Sequence, residues 1–188
     1  QGAHLGYRNG TMYSSYTAAS FARKHDLAEK HGVNLEGALS WSFTFEDQPY
    51  FAGFRQLSSN GLAMPVLNVL RMMSKMDGQR ISALSSHAIP LEEIISKGVR
   101  GSPDVGTLAS RNDKQIAIMV WHYHDDDLVG PDAAIELKVR GVPESVKTAR
   151  VSHYRVDQLH SNSYDAWRRM GSPVAPGRKQ YAELQAAS

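Results

Sequence analysis

The order of the periodic segments in the first 78 residues constrains the fold more than any other feature of this chain. Residues 14–31 repeat apolar side chains at helical spacing, and residues 33–45 alternate apolar with polar side chains as a half-buried strand does. Residues 65–76 return to the helical period, starting at Pro65, which suits the first position of a helix. A helix followed closely by a strand is half of an α/β repeat. Because a lone strand needs neighbours, this unit requires further chain or a partner to complete its sheet.

The chain after Gly78 has a different pattern, dominated by short alternating segments that are separated by turn clusters. We predict strands over residues 80–86, 105–110, 115–123, 133–140 and 147–155. Two short helices are expected near the end, over residues 164–170 and 178–187. The fold class is therefore α/β plus all-β. We expect one domain over residues 1–78 and an antiparallel β-sandwich with a short helical tail over residues 79–188.

Charge, cysteine content and hydropathy exclude several classes of function. The chain carries 21 basic and 19 acidic residues, a net charge of +2, so we expect no nucleic-acid or membrane partner. It has no cysteine, which excludes disulfides, zinc–thiolate sites and thiol nucleophiles but leaves cytoplasm and periplasm equally open. No apolar run reaches the length of a membrane span. The chain starts with Gln instead of Met, which indicates a longer gene product or a residual tag residue.

The segment WHYHDDD, residues 121–127, has the residue types of a metal site. His122 and His124 would point to one face of a strand, and aspartates follow them. The alternative is a strand that leaves the core for a polar turn, with Trp121 and Tyr123 inside and the histidines outside. No third ligand is fixed by the spacing, so we favour the alternative and predict no metal and no cofactor.

The stretch GALSWSFTFEDQPYFAGFRQ, residues 37–56, sets two adjacent acids between two groups of aromatic side chains. Loops that follow barrel strands build sugar pockets in this way, since indole rings stack on a pyranose and carboxylates accept hydrogen bonds from its hydroxyls. The aromatic residues could equally be core, with the acids merely starting a loop. The candidate substrate-binding residues are Trp41, Phe45, Glu46, Asp47, Tyr50 and Phe51.

Three stretches resemble bacterial β-xylosidases of glycoside hydrolase family 39: NGTMYSSYTAASF, EKHGVNLEGALSWSFTFEDQPYFAGFRQL and NGLAMPVLNVLRMMSKM. The similarity continues through VWHYHDDD to the final QYAELQAAS. It implies a (β/α)8 TIM barrel with an appended β-sandwich, acting as a retaining exo-glycosidase on xylose-containing substrates. Residues 1–78 would then supply the last part of the barrel, namely helix 7, strand 8 and helix 8. Residues 79–188 would form the accessory sandwich without its final strands.

The resemblance also assigns roles within the candidate site. It implies that Trp41 stacks on the terminal sugar and that Glu46 binds its hydroxyls, with Asp47 beside it. The catalytic glutamates of the family lie on strands 4 and 7, and neither stretch occurs in this sequence. Retaining hydrolysis needs two carboxyl groups about 5–5.5 Å apart on opposite sides of the scissile bond, which two adjacent acids cannot provide.

We therefore expect no catalytic residue in this chain, and we expect it to be inactive by itself. The remainder of the barrel would come from another segment or chain. Two alternatives stay open: a non-catalytic carbohydrate-binding or interaction module, and an α-L-iduronide in place of the xyloside. An iduronide carries a carboxylate that would call for a cationic contact, and the sequence does not place Arg55 in that role.

Overall fold

A computed structural model describes residues 2–39, 43–127, 130 and 132–188. Its helices are α1 (Gly2–Asn9), α2 (Thr11–His31), α3 (Pro65–Met73), α4 (Leu91–Lys97), α5 (Ser163–Arg169) and α6 (Arg178–Ala186). Its strands are β1 (Phe43–Phe45), β2 (Gln56–Ser59), β3 (Leu62–Ala63), β4 (Gln79–Ile81), β5 (Asp104–Arg111) and β6 (Ile116–Tyr123). These strands form two three-stranded sheets, in the orders β1-β2-β3 and β4-β5-β6.

The two sheets differ in strand direction. In the first, β1 runs parallel to β2, and β2 is antiparallel to β3. In the second, every pairing is antiparallel, and β5 and β6 are paired along their whole length from Asp104–Tyr123 to Arg111–Ile116. The second sheet is thus a regular antiparallel meander. The first is a short mixed sheet in which β1 and β2 flank the loop of residues 46–55.

All four predicted helices are present, although α2 begins three residues earlier than predicted, at Thr11. Helix α2 ends at His31, and Gly32 adopts the left-handed conformation (φ 62°) that its position after the helix requires. Helix α3 begins at Pro65 as predicted but ends three residues early, at Met73. Helices α5 and α6 confirm the two predicted C-terminal helices within one residue at each end. Helices α1 and α4 were not predicted.

Several predicted strands are shorter than expected or wrong. Among the described residues of the segment 33–45, Phe43–Phe45 form a strand and residues 33–39 are irregular, with Leu39 fully exposed. Residues 40–42 lie outside the described part of the chain. Residues 133–140 and 147–155 are irregular too, so the strands predicted there are wrong. Alternation alone does not make a strand, because a ladder needs a neighbour to pair with. Leu137, which should be covered in a sandwich, is 58% exposed.

The described residues therefore form neither a closed barrel nor a β-sandwich. They build two hydrophobic cores instead. The sheet core lies between α2, α3, β5 and β6 and includes Met12, Ala18, Ala22, Val69, Met119, Trp121 and Tyr123. The loop core lies between β3, α3, α5 and α6 and includes Phe51, Leu62, Met64, Val66, Tyr164, Ala166 and Leu184. The C-terminal helices thus pack beside the loop that follows β1.

A buried carboxylate joins helix α2 to the second sheet. Asp104, on β5, is 1% exposed and accepts hydrogen bonds from Arg23 Nη2 (3.0 and 3.1 Å), Ile89 N (2.8 Å) and Trp121 Nε1 (2.8 Å). Arg23 also donates to the Ile89 carbonyl at 3.0 Å. A charge buried this deeply is tolerable only when it is paired and hydrogen-bonded, as it is here.

Among the described helices, none combines the length and the apolar character needed to cross a lipid bilayer.

Candidate functional site

The candidate site lies on the site loop, residues 46–61, which runs from the end of β1 through β2 to the β2–β3 turn. Six described residues other than glycine have positive φ, and four of them belong to this loop: Asp47 (54°), Phe51 (57°), Arg55 (49°) and Asn60 (49°). Such conformations cost about 1–3 kcal/mol each and cluster at functional sites, where the surroundings hold them in place. The site loop therefore has a specific backbone conformation that its surroundings hold in place.

Hydrogen bonds hold the middle of the site loop at Phe51. Its backbone N–H donates to Ser59 Oγ at 2.8 Å, and its carbonyl accepts from Asn9 Nδ2 at 2.8 Å. Asn9 Oδ1 in turn accepts from Gln56 Nε2 at 2.9 Å. Asn9, Gln56 and Ser59 are all buried, so this network fixes the loop backbone from the protein interior.

The ring of Phe51 lies in the loop core. It is 1% exposed and packs against Tyr164 (ring centroids 5.5 Å apart) and Trp167 (5.0 Å). Tyr50, its neighbour, is half-buried. Of these two predicted substrate-binding residues, the structure gives Tyr50 partial access to the surface and uses the Phe51 ring to attach the loop to α5.

Glu46 is exposed at the start of the site loop and is oriented by the β2–β3 turn. Its Oε1 accepts a hydrogen bond from the backbone N–H of Gly61 at 3.1 Å. The Asn60 side chain holds the same loop by accepting from Gln48 N at 3.4 Å and donating to the Gln48 carbonyl at 2.7 Å. Within the described residues the Gly61 N–H is the one hydrogen-bond partner of the Glu46 side chain, and the residue is exposed.

Two tyrosines belong to the surroundings of the site loop, Tyr50 on the loop itself and Tyr181 against its end. Burial raises the pKa of Tyr50, and the charges of Tyr181 and Glu46 raise it further, so Tyr50 is a neutral hydroxyl at physiological pH. Tyr181, on α6, donates from its hydroxyl to the Asn60 carbonyl at 2.9 Å. Asp47 is exposed beside Glu46. Glu46 and Asp47 are thus exposed at the mouth of the site loop, and Tyr50 lies half-buried four residues after Glu46, within range of its charge.

Of the two remaining predicted site residues, only Phe45 belongs to the described part of the chain. Phe45 is the last residue of β1, which places it directly before Glu46. Trp41 lies outside the described residues. Sequence analysis missed Asn60, Gly61 and Tyr181. The Asn-Gly pair is a recognisable turn signal, whereas the contact of Tyr181 across 121 residues has no signal in the sequence.

The WHYHDDD segment ends a strand and begins a polar turn. Trp121 (4% exposed) and Tyr123 (8%) are buried and His122 is exposed, as the interpretation favoured from the sequence predicts, whereas His124 is half-buried. His124 Nδ1 accepts from Asp126 N at 3.0 Å. Asp125 accepts from Val99 N (2.8 Å) and from the Tyr123 hydroxyl (2.9 Å). Among the described residues, no three histidine or acidic side chains converge as metal ligands would.

Comparison with known proteins gives relatives of two named activities. The chain is 30% identical over 132 residues to alpha-L-iduronidase of Mus musculus, which covers 66% of this chain and 20% of that protein. It is 29% identical over 156 residues to beta-xylosidase of Caldicellulosiruptor saccharolyticus, covering 79% of this chain and 28% of that protein. Human alpha-L-iduronidase is 28% identical over 134 residues, 67% of this chain and 19% of the relative.

The chain spans less than a third of the length of these curated relatives. No solved structure matches it with significant similarity. The model of the glycosyl hydrolases family 39, in contrast, matches residues 7–188, nearly the whole chain. This protein therefore belongs to glycosyl hydrolases family 39.

Proposed function

We propose that this chain forms the sugar-binding end of a retaining exo-glycosidase that removes terminal xylose from xylosides or xylo-oligosaccharides. Residues 1–78 would supply helix 7, strand 8 and helix 8 of its barrel, and residues 79–188 the accessory domain. The observation that carries the proposal is Glu46, an exposed carboxylate oriented by a backbone N–H on a strained and firmly held loop.

The chemistry of Glu46 suits a sugar hydroxyl. A carboxylate has acceptor sites on both oxygens, and the Gly61 N–H occupies one site on Oε1. The remaining sites can accept hydrogen bonds from two neighbouring hydroxyls of one ring. Bonds to an ionised acceptor are stronger than neutral ones, and the Gly61 contact orients the acceptor before the sugar arrives.

The neighbouring side chains would complete the binding surface. We assign Trp41 and Phe45 to the apolar face of the ring, where an aromatic plane stacks on a pyranose. Asp47 and the neutral hydroxyl of Tyr50 would supply further polar contacts. Phe51 would contribute from beneath by fixing the loop, since its ring is enclosed in the loop core.

Catalysis would require groups beyond those on this loop. A retaining enzyme places a nucleophile and an acid/base on opposite sides of the scissile bond, about 5–5.5 Å apart. Glu46 and Asp47 are adjacent in the sequence and begin one loop. We therefore assign them to binding, place both catalytic glutamates on other strands of the barrel, and expect this chain alone to hydrolyse nothing.

The charge around the loop favours a neutral sugar over a uronic acid. Glu46 and Asp47 put two carboxylates at the loop mouth, and these would repel the carboxylate of an iduronide. Arg55, the cation of the site loop, lies over the Phe54 ring, with its guanidinium carbon 5.2 Å from the ring centroid. A second cation, Arg8, lies over the same ring, with its guanidinium carbon 5.7 Å from the centroid. The two adjacent carboxylates therefore favour a neutral terminal sugar, of which xylose is one.

The direct test is Glu46→Ala in the full-length protein that contains this chain. Loss of a charge-assisted hydrogen bond costs about 1.5–3 kcal/mol, so kcat/KM on an aryl β-xyloside should fall about 10- to 100-fold. Glu92→Ala is the matched control, because Glu92 is an exposed glutamate paired with Lys30 on another face. Equal kcat/KM for Glu46→Ala and the parent protein would remove Glu46 from the pocket.

The same assay separates the enzyme from a non-catalytic binding module. The full-length protein should release xylose from the xyloside. Binding of xylose by that protein without any turnover would support the binding module instead.

A further inference from the structure

We propose that Tyr181 is a positioning residue for Glu46, so that the C-terminal helix α6 controls how the sugar-binding carboxylate is presented. This inference rests on the proposed function of Glu46. Tyr181 lies near the C-terminal end of the chain, far from Glu46 in the sequence. We assign Tyr181 no contact with the sugar.

A single peptide unit connects Tyr181 to Glu46. The Tyr181 hydroxyl donates to the carbonyl of Asn60 at 2.9 Å, and the N–H of the next residue, Gly61, donates to Glu46 Oε1 at 3.1 Å. That carbonyl and that N–H are the two ends of one amide group. Because the group is planar and trans, fixing the direction of its carbonyl also fixes the direction of its N–H. Tyr181 therefore sets the direction of the donor that Glu46 meets.

The same contact strengthens the donor electrically. Hydrogen bonds in a chain polarise one another, so an amide whose carbonyl accepts a bond donates more strongly through its N–H. The hydroxyl of Tyr181, the Asn60–Gly61 amide and the Glu46 carboxylate form such a chain. Its end is the negative charge to which a sugar hydroxyl would bind.

The turn is shaped to bring the tyrosine this close. Asn60 and Gly61 both have positive φ, 49° and 78°. A Cβ added at Gly61 would lie 2.8 Å from the Tyr181 hydroxyl, closer than real Cβ contacts come. The absence of a side chain at Gly61 is thus a condition for the contact between α6 and the turn.

Helix α6 is held firmly enough to act as a support. Leu184, three residues after Tyr181 and on the same side of the helix, is fully buried in the loop core. At the start of α6, Gly177 N donates to Gln180 Oε1 at 2.9 Å, which satisfies one of the free N–H groups there. Tyr181 itself is half-buried, so its ring has restricted freedom.

The test is a double-mutant cycle in the full-length protein with Tyr181→Phe, Glu46→Ala and the combination, assayed on an aryl β-xyloside. Tyr181→Phe removes only the hydroxyl and should lower kcat/KM about three- to tenfold, the effect of one neutral hydrogen bond. In the Glu46→Ala background the same change should have no effect, since the residue that it positions is gone. Tyr154→Phe, at an exposed tyrosine, should leave kcat/KM unchanged in both backgrounds.

The outcomes distinguish this inference from the proposed function. If Tyr181→Phe lowers kcat/KM equally in both backgrounds, Tyr181 does not act through Glu46, and the inference is overturned. If Glu46→Ala lowers kcat/KM but Tyr181→Phe does not, the inference fails while the function of Glu46 stands. If Glu46→Ala itself has no effect, the proposed function fails, and the inference fails with it.

Discussion

Asp104 and Glu46 are two carboxylates that accept hydrogen bonds from backbone N–H groups, yet their surroundings differ. Asp104 is 1% exposed and is surrounded by an arginine, an indole N–H and a backbone N–H. Glu46 is exposed, and within the described residues it has the Gly61 N–H as its hydrogen-bond partner. A carboxylate whose acceptor sites are filled serves the fold, whereas one that is oriented but unfilled is available to a ligand.

The backbone also differs between the regions around the two carboxylates, being regular around Asp104 and irregular around Glu46. The second sheet is a regular antiparallel meander that packs its aromatic residues against α2. The site loop accepts four left-handed residues within 14 positions and is held in that shape by hydrogen bonds from α1, β2 and α6. We therefore expect stability to depend mainly on the region around Asp104, and we propose that binding depends on the region around Glu46.

The largest expected effect is on the stability of the Asp104 region. Asp104→Ala removes the buried partner of Arg23, which keeps Asp26 at 3.2 Å, and it leaves the N–H groups of Trp121 Nε1 and Ile89 without their acceptor. Removing one member of a buried pair costs about 3–5 kcal/mol, and we expect the lower part of that range because Arg23 stays paired. Denaturant unfolding should therefore show a loss of that size. Glu46→Ala should change the free energy of unfolding by less than about 1 kcal/mol, because it is an exposed group.

Glu92→Ala is the control for this comparison, since it breaks the exposed ion pair with Lys30 and should cost about 0–1 kcal/mol. Equal losses of stability for Asp104→Ala and Glu46→Ala would contradict the division between the two regions.

A smaller effect on stability is expected at the hydrogen bond between Tyr123 and Asp125. Asp125 is less buried than Asp104 and more buried than Glu46. Its Oδ1 accepts from the buried Tyr123 hydroxyl at 2.9 Å. Burial raises the pKa of Tyr123, and the hydrogen bond and charge of Asp125 raise it further. The folded protein therefore keeps this proton above pH 10, where tyrosine in the unfolded chain loses it. The contribution of Tyr123 to stability is complete below about pH 10 and is lost as the pH rises from there.

The measurement is the free energy of unfolding at pH 9 and at pH 11. The parent protein should lose stability over this interval more steeply than Tyr123→Phe, by up to about 1.4 kcal/mol per pH unit. Tyr154→Phe, at an exposed tyrosine, should behave like the parent. If the free energy of unfolding of Tyr123→Phe falls with pH as steeply as that of the parent, the Tyr123 hydroxyl ionises alike in the folded and unfolded states.

Local signals in the sequence account for what could be predicted. Helices α2 and α3 have both an apolar period and end signals, Gly32 after one and Pro65 at the start of the other, so their type and position were correct. Strands β5 and β6 were correct because they pair with each other through a short turn. Residues 133–140 have the alternation of a strand, but they pair with no described strand and are irregular, and no local pattern reveals a missing partner.

The site was predictable in composition but not in arrangement. The sequence placed acids and aromatic rings on one loop, and the structure shows Glu46 and Tyr50 near its mouth. It could not show that the ring of Phe51 turns into the core, since an aromatic residue in a loop suits either location. Nor could it place Tyr181 behind Glu46, because that contact depends on the packing of α6 against β3.

A crystal structure of the full-length protein with xylose bound would test the role of Glu46 most directly. We expect sugar hydroxyls within hydrogen-bonding distance, about 2.5–3.0 Å, of the Glu46 carboxylate, with the Gly61 N–H still donating to Oε1. A sugar bound elsewhere, with Glu46 facing only solvent, would contradict that role.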